Sequence, residues 1–141
     1  MTPQELLAKA DAVRRQAHAP YSNYAVGAAL LTRSGKVFTG CNVENASFGL
    51  SMCAERTAVF KAISEGENDF VAVAVVTPNE GTPCGACRQV LFEFAPDMWV
   101  YWRGRGRRLV RRQLRELLAD GFSSLGPPAK RGRAKKGRSA S

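Results

Sequence analysis

The chain has 141 residues, 45% of them apolar, enough for one domain to bury a core without disulfide staples. Its formal charge of +9 belongs to one end: residues 1–102 carry 8 Lys/Arg against 10 Asp/Glu, whereas residues 103–141 carry 13 against 2. The longest mostly apolar stretches, around Phe70–Val76 and Ala25–Leu31, fall far short of the roughly 20 residues a membrane-spanning helix needs, which excludes that class.

Thr2 is placed to cap a helix with Pro3 at its first position, and Leu6, Leu7, Ala10, Val13 and Ala17 recur at helical spacing to about His18. Ala19-Pro20-Tyr21-Ser22-Asn23 breaks that helix. Ala25–Thr32 reads as a buried strand, Ser34-Gly35 as a hairpin turn, and Lys36–Cys41 as the partner strand. Asn42–Ser51 is a polar loop, and Cys53–Ser64 is a helix with Gly66 just past its end. Val71–Thr77, rich in β-branched residues, suits a central strand covered on both faces. A second cysteine-led helix follows over Gly85–Phe94 and stops before Pro96. Met98–Trp102 is a further strand, Gly104-Arg105-Gly106 a turn, Arg107–Val110 a last short strand, and Arg111–Leu118 a final helix.

After Phe122 the chain turns to Gly, Pro, Ser, Ala, Lys and Arg, too polar to offset the entropy of ordering, so 124–141 is expected to be a disordered basic tail. No basic flank followed by an apolar core opens the sequence, so a cytoplasmic address is expected. There, four cysteines serve as thiols or metal ligands rather than disulfides. The alternation of strands and helices implies an α/β fold, a sheet with helices on both faces.

Function is written in two short motifs, Cys53-Ala54-Glu55 and Pro83-Cys84-Gly85-Ala86-Cys87. A Cys-x-x-Cys pair at a helix start puts two sulfurs on one turn, close enough to grip one tetrahedral ion. By itself such a pair equally fits a redox couple. Cys53, from the start of the other helix, completes three ligands and leaves a fourth position open, the pattern of catalytic zinc. A glutamate two residues after the first ligand is where zinc deaminases keep their proton shuttle. The lone His18, distant in sequence and beside a turn, is read as a surface residue.

These motifs, with Gly40-Cys41-Asn42-Val43-Glu44-Asn45-Ala46-Ser47-Phe48-Gly49 before them and Arg88-Gln89-Val90 after, resemble the small homotetrameric cytidine deaminases. The resemblance covers about residues 3–123, making 1–123 the catalytic domain. It implies a three-layer α/β/α sandwich with a mixed sheet of about five strands. It implies Zn²⁺ on Cys53, Cys84 and Cys87, and Glu55 shuttling protons while activated water attacks C4 of cytidine or 2′-deoxycytidine. It also implies substrate contacts from Tyr24 (usually phenylalanine, stacking on the base), Asn42 and Glu44 (ribose 3′-hydroxyl), Ala54 (base) and Phe122 (capping a neighbouring subunit's site). Phe48 stands for a common tyrosine in the loop that reaches neighbouring subunits.

Three thiolates outweigh the charge of one Zn²⁺. The two helix N-termini and the arginines Arg56 and Arg88 are candidates to compensate. Cys41 is read as a small buried apolar residue. Seven arginines between Arg103 and Arg115, and six Lys/Arg between Lys130 and Arg138, offer the chain's only route to nucleic acid; a solvated face and tail is the preferred reading. Rival functions are a blasticidin-S-type deaminase, a polynucleotide cytosine deaminase, and a non-catalytic zinc module with a basic tail.

Overall fold

The computed structural model describes residues 1–79 and 84–118. The expectations for Phe122 and the 124–141 tail lie outside them. The elements run α1 (Pro3–Arg14), β1 (Gly27–Thr32), β2 (Val37–Cys41), α2 (Ala54–Ser64), β3 (Phe70–Val76), α3 (Gly85–Phe94), β4 (Trp99–Arg103), β5 (Leu109–Gln113) and α4 (Leu114–Leu117), with short 3-10 turns at Phe48–Leu50 and Arg105–Arg107. The strands form one mixed sheet in the order β2-β1-β3-β4-β5, all neighbours antiparallel except β3 and β4.

β3 lies at the centre, and its pleat sorts the two faces. Val73 and Val75 join Leu30, Phe38, Val59 and Leu91 in a core under α2 and α3. Ala72 and Ala74 meet Leu6, Leu7 and Ala10 of α1 on the opposite face. The three-layer α/β/α sandwich with five strands is therefore as expected. The alanine side is thin because α1 lies close: a Cβ on Gly27 would stand 2.0 Å from the Ala10 carbonyl oxygen. Among the described residues, no helix is long and apolar enough to cross a membrane.

α1 begins as its sequence requires. Thr2 Oγ1 accepts from the Glu5 N–H at 3.1 Å while Glu5 Oε1 accepts from the Thr2 N–H at 2.8 Å, a reciprocal capping box. It ends four residues sooner than expected. The backbone of His18 leaves the helix to pair with the 42–44 segment, His18 N–H on Asn42 O at 3.0 Å and Glu44 N–H on His18 O at 2.8 Å. The His18 side chain is exposed, as read from its position.

The C-terminal expectation is corrected. Arg111 and Arg112 continue β5 rather than open a helix, paired with Tyr101 and Val100 of β4. The Arg111 guanidinium lies 4.1 Å from the centre of the Trp99 ring. These cross-strand contacts outweigh the helix propensity of a run rich in Arg and Leu. Only Leu114–Leu117 is helical, begun by a Gln113/Glu116 capping box.

Candidate active site

Two helix starts build the site. Cys53 is the N-cap of α2 and Cys84 the N-cap of α3, both in extended backbone. The N-terminal end of α2 reaches the sheet because Gly40 of β2 has no side chain: a Cβ there would lie 2.6 Å from the Ala54 carbonyl oxygen. α3 carries Cys87 one turn on, and its N–H donates to the Cys84 sulfur at 3.4 Å.

The three sulfurs converge, all within 4.8 Å of one another. Cys53 and Cys84 Sγ are 3.6 Å apart, and Cys84 and Cys87 Sγ 3.2 Å. Tetrahedral zinc with Zn–S bonds of about 2.3 Å separates its sulfurs by about 3.8 Å, so this donor set fits the ion with small adjustment. The four cysteines are unbridged thiols. Cys41, expected to be buried, is half-buried at the end of β2 and is not part of the sulfur cluster.

The electrostatics favour thiolate at Cys53. The Cys53 thiol is held down to about 5, first by the hydrogen bond from Cys87 and then by Arg56 and Cys84 against the cost of burial. The same shared proton pushes Cys87 upward. Arg56 Nη2 donates to Cys53 Sγ at 3.4 Å. Arg88, the other arginine considered for this task, directs Nη1 to the Leu117 carbonyl at 2.8 Å and so ties α3 to α4.

Glu55, in the first turn of α2, is only 4% exposed. Burial pushes its carboxyl up to about 7 from an ordinary 4.5, more than hydrogen bonding pulls it down. It shares a cavity of about 170 Å³ with Cys53, Cys84, Ala54, Asn42 and Tyr24. That cavity thus gathers six of the nine residues marked for chemistry or binding. Cys87 lies behind them, fully buried. Phe122 is beyond the described residues.

Glu44 is placed differently. Its carboxylate is occupied by the loop after α1, accepting from the N–H groups of Tyr21 at 3.0 Å and Ser22 at 3.2 Å and from the Ser22 hydroxyl. These bonds hold it below the usual carboxylate range. Asn42 braces the next stretch, its Oδ1 accepting from Val26 N–H at 2.9 Å and its Nδ2 donating to the Tyr24 carbonyl at 2.8 Å. Together they fix the loop that carries Tyr24 over the cavity. The Tyr24 hydroxyl finds a partner in Asn79 Oδ1 at 2.6 Å. Sequence reasoning missed Asn79 and Thr77. Nothing in the pattern marks a residue just beyond a central strand as a cavity wall until the fold is known.

A buried carboxylate stands beside three converging cysteine sulfurs, and among the described residues no fourth His, Cys, Asp or Glu joins that cluster, a donor set that fits an open, catalytic type of zinc site better than a closed structural one. The comparisons make the class definite. Residues 1–103 match the family model for the cytidine and deoxycytidylate deaminase zinc-binding region, and the chain belongs to that family.

It is 48% identical over 127 residues to a cytidine deaminase of Halalkalibacterium halodurans, covering 88% of this chain and 96% of that one. It is 44% identical over 126 residues to one of Sporosarcina psychrophila, covering 87% and 93%. A crystal structure of cytidine deaminase from Burkholderia pseudomallei superposes with a TM-score of 0.81 at 48% identity, over 86% of this chain and all (100%) of that one. A blasticidin-S deaminase of Bacillus cereus is more distant, 33% identical over 103 residues, covering 66% of this chain and 73% of that one.

Proposed function

We propose that this protein hydrolyses cytidine and 2′-deoxycytidine to uridine and 2′-deoxyuridine with release of ammonia. The observation that carries the reading is the placement of buried Glu55 in one small cavity with the cysteine cluster. Zinc on Cys53, Cys84 and Cys87 supplies, when bound, the acidification that makes water a nucleophile near neutral pH.

The remaining chemistry is the chain's own. Glu55, with a carboxyl poised near neutrality, takes the proton that water sheds and delivers it to ring nitrogen N3 as the oxygen bonds to C4. The Glu55 carboxylate then takes the remaining proton from the new C4 hydroxyl and passes it to the amine, the C4–N bond breaks as the C4 carbonyl forms, and ammonia leaves. Tyr24 stacks on the pyrimidine, the backbone of Ala54 meets the base edge, and Asn42 with Glu44 holds the ribose 3′-hydroxyl. Their described hydrogen bonds to the 21–26 loop leave further lone pairs on both side chains for that hydroxyl.

We further infer a homotetramer in which Phe122 closes a neighbour's pocket. Its support among the described residues is an exposed apolar group in the segment between β2 and α2. Phe48 is 73% exposed and Leu50 69%, and the Phe48 ring meets Tyr21 edge-on at 5.9 Å. Unbridged cysteines suit the reducing cytoplasm. Catalysis is assigned to residues 1–123, and deletion of 124–141 is expected to leave kcat/KM unchanged.

The test is an ultraviolet assay with cytidine, deoxycytidine, blasticidin S and a short oligonucleotide, comparing the unaltered protein with Glu55→Ala. Loss of nucleoside turnover in Glu55→Ala is expected, by 10²-fold or more. Conversion of the oligonucleotide alone, or of blasticidin S alone, would overturn the reading.

A further inference from the structure

A second cavity lies against the first. It encloses about 300 Å³ between the last turn of α1, the end of β3 and the turn joining β4 to β5. Arg14, Arg103, Arg107, Asp11 and Asn79 supply its polar lining. Val75 and Thr77 line both cavities, and the hydrogen bond from Tyr24 to Asn79 joins a wall of one to a wall of the other. The volume falls at the lower end of small-molecule sites, about 300–1,000 Å³.

Its charge is unbalanced. Among the described residues the one carboxylate in the lining, Asp11, is taken by Arg14 at 3.4 Å. Among the described residues, neither Arg103 nor Arg107 has an acidic partner. Two unneutralised guanidiniums on one concave wall raise the local potential and favour an anion there. Among the described residues no other carboxylate lines this wall; the Asp97 carboxylate, for one, pairs with Arg115.

The wall is also held in place. Gly104 N–H donates to the Arg108 carbonyl and Arg107 N–H to the Gly104 carbonyl, each at 2.8 Å. Gly106 and Arg107 stand at φ 69 and φ 61, consecutive left-handed residues. Glycine adopts that conformation freely, whereas it is uncommon for arginine. Both guanidiniums therefore rise from a braced turn.

We propose that this cavity binds the phosphate groups of a small polyphosphate-bearing anion, gripped by Arg103 and Arg107 with Arg14 beside them. Planar guanidinium forks match phosphate oxygens two at a time, and several forks in one concavity suit linked phosphates better than a single carboxylate. The proposal stands apart from the deamination reading, because binding is measured with no turnover of cytidine.

The test is calorimetric titration of the full zinc-loaded chain, near physiological salt, with inorganic tripolyphosphate and with adenosine triphosphate, which carries no cytosine. The unaltered protein is expected to bind both. R103Q/R107Q is expected to weaken binding at least tenfold. R105Q/R108Q removes the same charge from exposed positions off the lining and is expected to stay within twofold. R103K/R107K keeps charge and fold while losing the forks, and is expected to weaken binding at least threefold. Equal affinities for the two anions place recognition in the phosphates alone, and tighter binding of the triphosphate extends it to a nucleotide. Equal losses in the two glutamine variants would overturn the proposal, as would binding of a single-stranded oligonucleotide but neither small anion.

Discussion

Arg56 Nη2 donates to the Cys53 sulfur at 3.4 Å, one helical turn along α2 from the ligand it faces. Three thiolates carry more negative charge than one Zn²⁺ cancels, and this guanidinium returns positive charge to the centre alongside two helix N-termini. The contact in turn raises the Arg56 pKa, so the charge is present at every working pH. Arg56→Gln is expected to lower kcat/KM by about 10–100-fold, the usual cost of losing such a supporting contact. It is also expected to move the acid limb of the pH–rate profile upward, since water beside a more negative centre ionises less readily. Unchanged turnover and an unchanged profile would remove Arg56 from the account.

Glu55 makes the metal-free protein's stability depend on pH. Its carboxyl titrates near 7 when buried and 4.5 when free, so the folded chain keeps a proton that the unfolded chain has released between those values. The neutral carboxyl is accommodated fully below pH 4.5, and that stability is lost as pH rises through 7. At about 1.4 kcal/mol per unit, the loss by pH 8 approaches 3 kcal/mol. Glu55→Gln cannot ionise. Stripped with a chelator and unfolded in urea, it is expected to match the unaltered protein at pH 4.5 and exceed it by about 3 kcal/mol at pH 8. Parallel stabilities across that range would contradict the burial argument.

Tyr24 separates its ring from its hydroxyl. The ring lines the cavity, and the hydroxyl is spent on Asn79. Tyr24→Phe is expected to change the KM for cytidine by less than threefold, because the stacking face survives. Tyr24→Ala removes stacking worth about 1–3 kcal/mol and is expected to raise KM by tenfold or more. Equal effects from the two substitutions would make the hydroxyl, and not the ring, the recognising group.

Phe48 and Leu50 expose apolar surface that a monomer gains nothing from showing to water. Phe48→Ser with Leu50→Ser is expected to shift sedimentation from tetramer toward smaller species and to lower activity with it. An unaltered protein that sediments as a monomer while fully active would refute the assembly.

The sequence is most readable where spacing alone sets geometry. Cys84 and Cys87 are three residues apart at a helix start, a spacing that puts both sulfurs on one turn. β3 is legible as a covered central strand because its apolar run lacks alternation, and the structure buries Val73, Val75, Ala72 and Ala74 against opposite layers. Arg111–Gln113 misled because strand pairing with β4 is a long-range choice that local propensity does not record. The engagement of Glu44 by Tyr21 and Ser22 was hidden for the same reason, since its partners lie 22 and 23 residues away. Gly40 was visible only as part of a motif, and the close passage of α2 across β2 supplies its physical reason.

X-ray absorption at the zinc edge of the purified protein tests the centre itself. Cys53, Cys84 and Cys87 as the protein ligands require three sulfurs at about 2.3 Å and one oxygen at about 2.0–2.2 Å. A fourth sulfur in place of that oxygen, or protein that folds and turns over cytidine with no zinc bound, would contradict the account.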